Sequence, residues 1–279
     1  MSPTIPLTID NIRSTLATTH LGQHLFLHRE IPSTNSEAMA LAQAGSAHGT
    51  VVVADRQTAG RGRQARAWFS PPDVNLYCSI LIRPTELHIP LADWLSWIPL
   101  TAAIASAEAV HTVTGVSLSL KWPNDLLLNG KKVGGILCES GTGCERQPYV
   151  VVGLGLNVNV PTHSFSPELA PIAGSLIEHT DRPTDRNRLL AQLLLELEQT
   201  LDELASQGPH RLMHAYTTRC VTIGRPVLVQ LGEGRELVGI AQAIGRDGAL
   251  HVRPSAGPLQ RHAQPIVEVR AADVIHLRE

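Results

Sequence analysis

The sequence predicts a mixed α/β domain followed by a small all-β module, and three observations carry that expectation. Short apolar runs alternate with segments of helical period over roughly the first 220 residues. After Cys220 the pattern changes to short alternating runs separated by glycine turns. A chain of 279 residues with 43% hydrophobic and 17% charged side chains is long enough to bury the core of one or two domains.

In chain order, Ile9–Ala17 has a short helical pattern and Leu25–Leu27 an apolar, strand-like one. Thr34-Asn35-Ser36-Glu37 has capping-box spacing ahead of Ala38–Ala44, and Gly45 stands where a helix would stop. Val51-Val52-Val53 is a buried strand, followed by a Gly/Arg loop from Gly60 to Arg66 and a second strand, Leu76–Ile82. A long apolar helix is expected from about Trp94 to Val113, ending at Gly115 and kinked at its start by Pro99. Leu118–Trp122 is strand-like and broken by Pro123-Asn124-Asp125. Leu126–Leu128 and Lys131–Cys138 flank Asn129-Gly130, a pair suited to a two-residue hairpin turn. Tyr149–Val160 is a strand interrupted by Gly153 and Gly155, and Thr184–Ala205 an amphipathic helix that stops before Gly208-Pro209. In the tail, Val227–Gln230, Leu237–Ile244 and Leu250–Val252 are strands separated by turn signals at Gly232–Gly234 and Asp247-Gly248.

Composition removes several function classes. A net charge of −2 argues against a whole-surface binder of nucleic acid or membranes. No apolar run approaches the roughly 18–20 residues that span a bilayer, and no secretory signal precedes Ile31. Four cysteines (Cys78, Cys138, Cys144, Cys220) in no metal-binding spacing suit a reducing, cytoplasmic setting. The basic residues are lopsided, with 20 Arg against three Lys: Lys121, Lys131 and Lys132, all within twelve positions. Coding bias explains the arginines and marks the lysines, because a merely solubilising cation could have been Arg.

Each candidate motif has an ordinary alternative. Gly60-Arg61-Gly62-Arg63-Gln64-Ala65-Arg66 places three guanidinium groups on a glycine-loosened backbone, able to wrap a polyanion or to remain a basic surface loop. It matches neither the P-loop nor the dinucleotide fingerprint. Lys121-Trp122-Pro123-Asn124-Asp125 could hold phosphate and a metal ion, or be a simple turn. In Lys131-Lys132-Val133-Gly134-Gly135, strand alternation puts Lys132 on the face opposite Lys131 and Val133, so one lysine can face a cleft while the other faces water. Ser33-Thr34-Asn35 offers donors and acceptors at a helix start, where plain capping is the simpler account. His20, His24 and His28 lie in extended chain, with His24 and His28 roughly 13 Å apart at 3.3 Å per residue, so they cannot share an ion. His210 and His214 lack the Glu of a zinc protease.

Order and spacing say more than any motif alone. Ser33-Thr34-Asn35, Gln57…Gly60-Arg61-Gly62-Arg63…Trp68, Lys121-Trp122-Pro123-Asn124-Asp125, Lys132-Val133-Gly134-Gly135-Ile136 and Gly153-Leu154-Gly155-Leu156-Asn157 together closely resemble the biotin–protein ligases, from about Ile31 to the C-terminus. The resemblance implies an α+β fold, a class II synthetase-like catalytic domain (residues 1–220) with a mixed sheet flanked by helices, then a small SH3-like β-barrel (residues 221–279). It implies that biotin's carboxylate attacks the α-phosphorus of ATP, with Mg²⁺, to give biotinyl-adenylate and pyrophosphate. A lysine of a biotin carboxyl carrier domain then takes the biotinyl group.

Carried over by position, Ser33, Thr34, Asn35 and Gln57 would read the ureido ring, and Gly60, Arg61, Gly62 and Arg63 would close over biotin and adenylate. Lys132 is the first catalytic choice, followed by Arg63 and Lys121. Gly134 and Gly135 would let backbone approach biotin. Trp68, Asn124, Asn157, Lys121 and Arg66 would lie at the nucleotide, joined by Arg270, with Asp125 as a metal candidate. The chain departs from the family's GRGRxGR loop at Ala65, where a stiffer loop with an intact site is expected. The segment before Ser33 is too short for the winged helix of some members, so no DNA-binding repressor role is expected; oligomeric state, including a homodimer, stays open. The nearest rival is a lipoate or octanoate ligase or transferase of similar fold, disfavoured because such tails have no ureido group to satisfy the polar quartet. An RNA-binding module is disfavoured by balanced charge and 4% aromatic residues.

Overall fold

A computed structural model describes residues 5–84, 95–232, 234–255, 265–270 and 272–277. Its elements are α1 (Ile9–Thr15), β1 (Leu25–Ile31), α2 (Thr34–Gln43), β2 (Val51–Gln57), β3 (Leu76–Ile82), α3 (Ile98–Thr114), β4 (Ser119–Lys121), β5 (Asp125–Leu128), β6 (Lys131–Thr142), β7 (Pro148–Leu156), α4 (Arg186–Gln207) and α5 (His210–Arg219). Five further strands follow: β8 (Pro226–Gly232), β9 (Arg235–Ile244), β10 (Leu250–Pro254), β11 (Val267–Val269) and β12 (Asp273–His276).

The first seven strands form one mixed sheet in the order β1-β2-β3-β7-β6-β5-β4, parallel between β1 and β2 and antiparallel elsewhere. Period-2 alternation sorts its residues between two faces. Val51, Val53, Ile80 and Ile82 join the main core with α3 and α4, whereas Val52, Leu81 and Val151 pack with Ala38 and Ala42 of α2 on the other face. Central strands buried on both faces explain the continuous apolar run of β3.

The last five strands form a separate antiparallel sheet, β11-β10-β9-β8-β12. Its Val227, Val229, Leu250 and Val252 belong to the same core cluster as Leu120 and Trp122. Two buried tryptophans fasten the turn between β9 and β10 to the larger part: the Trp122 indole, just after β4, donates to the Gly248 carbonyl at 3.1 Å, and that of Trp97, at the start of α3, to the Arg246 carbonyl at 2.7 Å. The small sheet therefore stands against the end of the large one, with β12 turned toward the large sheet's open face.

Three local expectations change. The long helix begins at Ile98, and Pro99 sits in its first turn, where a missing N–H has no partner to lose and no kink follows; Trp94 lies outside the described residues. The capping box at Thr34–Glu37 does not form, because the helix starts one residue earlier, with Ser33 as N-cap and no side-chain capping bond. Helix α5 and strands β11 and β12 were not anticipated. The Asn129-Gly130 hairpin is present, with φ of 49° and 80°.

Candidate active site

A cleft of about 660 Å³ lies over β5–β7, closed on one side by the loop after β2 and on the other by β12. One end is polar. Ser33, Thr34 and Asn35 are buried where α2 begins, and since none is used as a side-chain cap, all three are available for longer-range contacts. Gln57 Oε1 accepts from the Thr34 N–H at 2.9 Å and lies 3.1 Å from the Thr34 hydroxyl, while its amide nitrogen donates to Ser70 Oγ at 3.2 Å. The Asn35 amide donates to the Leu137 carbonyl at 3.1 Å and to Glu139 at 2.8 Å. Asn35 rests directly on Gly153, where a Cβ would fall 1.9 Å from its Oδ1.

The Gly/Arg loop is folded into a tight turn, with Gly62 N–H donating to the Arg66 carbonyl at 2.7 Å and Trp68 N–H to that of Gly60 at 2.9 Å. Gln64 and Ala65 carry left-handed φ of 53° and 56°. Ala65 thus adopts a conformation that glycine would take without a Cβ penalty. Each loop cation has a carboxylate partner. Arg61 pairs with Glu139 at 2.7 Å, Arg63 with Asp273 at 3.7 Å, and Arg66 also with Asp273. Arg63 further donates to Asn124 Oδ1 at 3.2 Å and to the Ala272 carbonyl at 3.1 Å, so the loop is tied to the small sheet.

Lys132 enters from β6. Its Nζ lies 2.5 Å from Asp125 and 5.5 Å from the Trp68 ring centroid, while Val133 points into the core and Lys131 packs its stem on Gly174. The alternation expected for this strand therefore holds. Trp68 lies on Gly155, where a Cβ would meet its indole nitrogen at 2.4 Å, and that nitrogen is buried without a partner. Burial lowers the Lys121 pKa below the usual lysine value, with Lys132 and Arg66 pushing the same way against Asp125 and Asp273. Nearby His276 is held neutral, its pKa pushed down to about 4 by burial and then by Lys121 and Arg225.

The cleft is lined by Ser33, Thr34, Asn35, Gln57, Arg61, Gly62, Arg63, Arg66, Trp68, Lys121, Asn124, Asp125, Lys132, Gly135 and Asn157 among the residues expected from the sequence. The Asn157 amide is committed to protein, donating to the Gly174 carbonyl at 3.0 Å and accepting from Asn75 at 3.3 Å, so it braces the wall at 172–174. Three expected residues stand back. Gly60 packs under Ser70 and Trp68, and the side where Gly134 would carry a Cβ faces Leu126 and Leu156 in the core. Arg270 is 62% exposed, pairs with Asp247 and Glu268, and lies off the cleft lining.

Sequence reasoning missed Ser79, Glu139, Asp273 and His276. Ser79 was visible as the one small polar residue in an apolar strand; the others gave no local signal. Among the described residues no group of three His, Cys, Asp or Glu side chains could hold a metal alone. The Asp125 carboxylate and the Asn124 side-chain oxygen are oxygen donors of the kind a hard cation takes, and both line the cleft, where they face Lys132 and Arg63.

Residues 27–157 match the model of the biotin/lipoate A/B protein ligase family, and residues 222–277 that of the biotin protein ligase C terminal domain. The bifunctional ligase/repressor BirA of Bacillus subtilis (strain 168) is 34% identical over 251 residues, spanning 90% of this chain and 76% of its own. The biotin–[acetyl-CoA-carboxylase] ligase of Mycobacterium tuberculosis is 35% identical over 247 residues, spanning 88% and 86%. A biotin protein ligase from Aquifex aeolicus, solved in complex with biotin and ATP, aligns with a TM-score of 0.74 at 27% identity, covering 92% of this chain and 100% of that one.

Proposed function

The chain belongs to the biotin/lipoate A/B protein ligase family, as a biotin–protein ligase, and on that premise we propose how its own residues divide the work of ATP-dependent biotin ligation. The biotin carboxylate oxygen attacks the α-phosphorus, the bond to the bridging oxygen breaks, and pyrophosphate leaves; the amine of a carrier lysine then displaces AMP from the biotinyl carbonyl. The observation that carries this assignment is one cleft holding a buried, uncharged polar end and, beside it, five cations: Arg61, Arg63, Arg66, Lys121 and Lys132.

Both substrates of the first step are anions, so the chain's contribution is alignment and positive charge rather than a nucleophile. Ser33, Thr34 and Gln57 hold the ureido ring, with Asn35 behind them. Lys132, reaching past Gly135, holds the carboxylate against the α-phosphate and stays on the non-bridging oxygens as charge builds there. Arg63 and Lys121 take the pyrophosphate side. Trp68 packs against the purine, and Arg66 and Asn124 lie along the nucleotide. Mg²⁺ would enter with the phosphates, neutralising charge beside Asp125 and Asn124. Arg61 and Gly62 close the loop over the adenylate and keep water from it.

A division into a catalytic part (residues 1–220) and a small β part (221–279) is supported by the two separate sheets, with Asp273 and His276 of the small part reaching back to the cleft. The acceptor is a lysine of a biotin carboxyl carrier domain. A cytoplasmic site is favoured by four free thiols, and no described helix is long and apolar enough to cross a membrane. A lipoate or octanoate ligase is not favoured, because either tail would leave the buried polar end unpaired. Pyrophosphate release with ATP-Mg²⁺ should depend on biotin, and equal release with lipoate would overturn the assignment.

A further inference from the structure

Behind the polar end of the cleft lies a chain of hydrogen bonds that starts at a carboxylate and ends at Thr34. The Asn35 amide faces two groups that can only accept, Glu139 at 2.8 Å and the Leu137 carbonyl at 3.1 Å. Its NH₂ must point to them, so its Oδ1 points to Ser79 at 2.6 Å. An amide oxygen cannot donate, so the single Ser79 proton goes to Asn35. Ser79 Oγ is also 2.8 Å from Thr34 Oγ1, closer than the 3.1 Å between Thr34 Oγ1 and Gln57 Oε1. With its own proton committed, Ser79 accepts that of Thr34. Thr34 Oγ1 and Gln57 Oε1 are then left as two adjacent acceptors facing the cleft, Gln57 being fixed by the Thr34 N–H.

We propose that Glu139 is a specificity-determining positioning residue, which sets the direction of the Glu139–Asn35–Ser79–Thr34 relay so that the cleft presents acceptors and selects ligands carrying N–H donors. The inference deepens the reading of the site as biotin-binding and rests on it. Glu139 and Ser79 touch no ligand in this scheme, since neither lines the cleft. Packing reinforces the relay, because Asn35 lies against Gly153 with no room to turn aside.

The test is steady-state pyrophosphate release by the full chain with biotin, with lipoate, and with a biotin analogue methylated on both ureido nitrogens. In Glu139→Gln the new amide can donate to Asn35, leaving only the Leu137 carbonyl to hold the relay's direction, and the biotin KM should rise about tenfold. The ATP KM should stay within twofold, and the preference for biotin over lipoate and over the methylated analogue should shrink by a similar factor. Ser79→Ala breaks the relay one bond later and away from Arg61; it should raise the biotin KM several-fold with the same loss of discrimination, and stands in if Glu139→Gln fails to fold. Wild-type biotin KM and wild-type discrimination in either folded variant would overturn the proposal. Absence of biotin-dependent release by the wild-type chain would overturn the functional reading instead.

Discussion

Replacing Lys132 with Ala separates catalysis from stability. Its ammonium is paired with Asp125 at 2.5 Å, but the two side chains remain 36% and 22% exposed, so the pair contributes only about 0–1 kcal/mol to folding. Its electrostatic role is larger. A unit charge about 3.5 Å from a developing phosphoryl oxygen interacts by roughly 5 kcal/mol at an effective dielectric near 20. Removing one such donor typically costs ~3–4 kcal/mol of transition-state stabilisation, about a hundred- to a thousandfold in rate. The measurement is single-turnover formation of biotinyl-adenylate, alongside thermal melting. Lys132→Ala should lose about a hundredfold or more with little change in melting. Lys131→Arg should stay within about twofold, because that stem packs on Gly174 outside the cleft. Lys132→Arg should also be impaired, since a planar fork would replace the compact point charge held beside Asp125 and the Trp68 ring. A Lys132→Ala rate within tenfold of wild type, or equal losses in the two arginine variants, would refute the assignment.

Gly153→Ala should abolish detectable biotin binding while the sheet remains folded, because the new Cβ would occupy the place of the Asn35 amide; calorimetric titration with biotin, beside circular dichroism, checks both halves. Ala65→Gly should favour the folded loop by up to about 1 kcal/mol by relieving a left-handed alanine, and slower proteolysis at the loop of the unliganded protein would show it; faster cleavage would contradict it. His276 is depressed to about 4, so between about pH 6.5 and 4 the unfolded chain binds a proton that the folded chain does not. Stability is lost as pH falls through that window, and His276→Gln should flatten the loss in melts at pH 7 and pH 4.5, an unchanged slope counting against it.

Local pattern made much of the fold legible. Alternation in β6 assigned Lys132 and Val133 to opposite sides, and Asn129-Gly130 announced its hairpin, because both are properties of a few consecutive residues. The site was legible wherever a motif brought its own residues to the cleft. Pairing across the chain was not. Ser33-Thr34-Asn35 looks like a cap in isolation, and only the arrival of Gln57, Ser79 and Glu139 from three other strands turns those side chains elsewhere. Asp273 lies more than 200 residues from the arginines it holds. Arg270, just past the end of β11 at Val269, turns its side chain toward Asp247, a pairing that no local pattern announces.

The pairing of the cleft's cations with internal carboxylates also bears on turnover. Arg61, Arg63, Arg66 and Lys132 each carry a counter-charge before any ligand arrives. On the proposed reading anionic substrates would enter by exchange: Asp125 and Asp273 would give up their partners to phosphate and carboxylate and take them back when pyrophosphate and AMP depart. Such a cleft presents little open positive field to stray polyanions, in keeping with a chain of net charge −2. It also gives the leaving anions a built-in competitor, so the same contacts that align the phosphates help to release them.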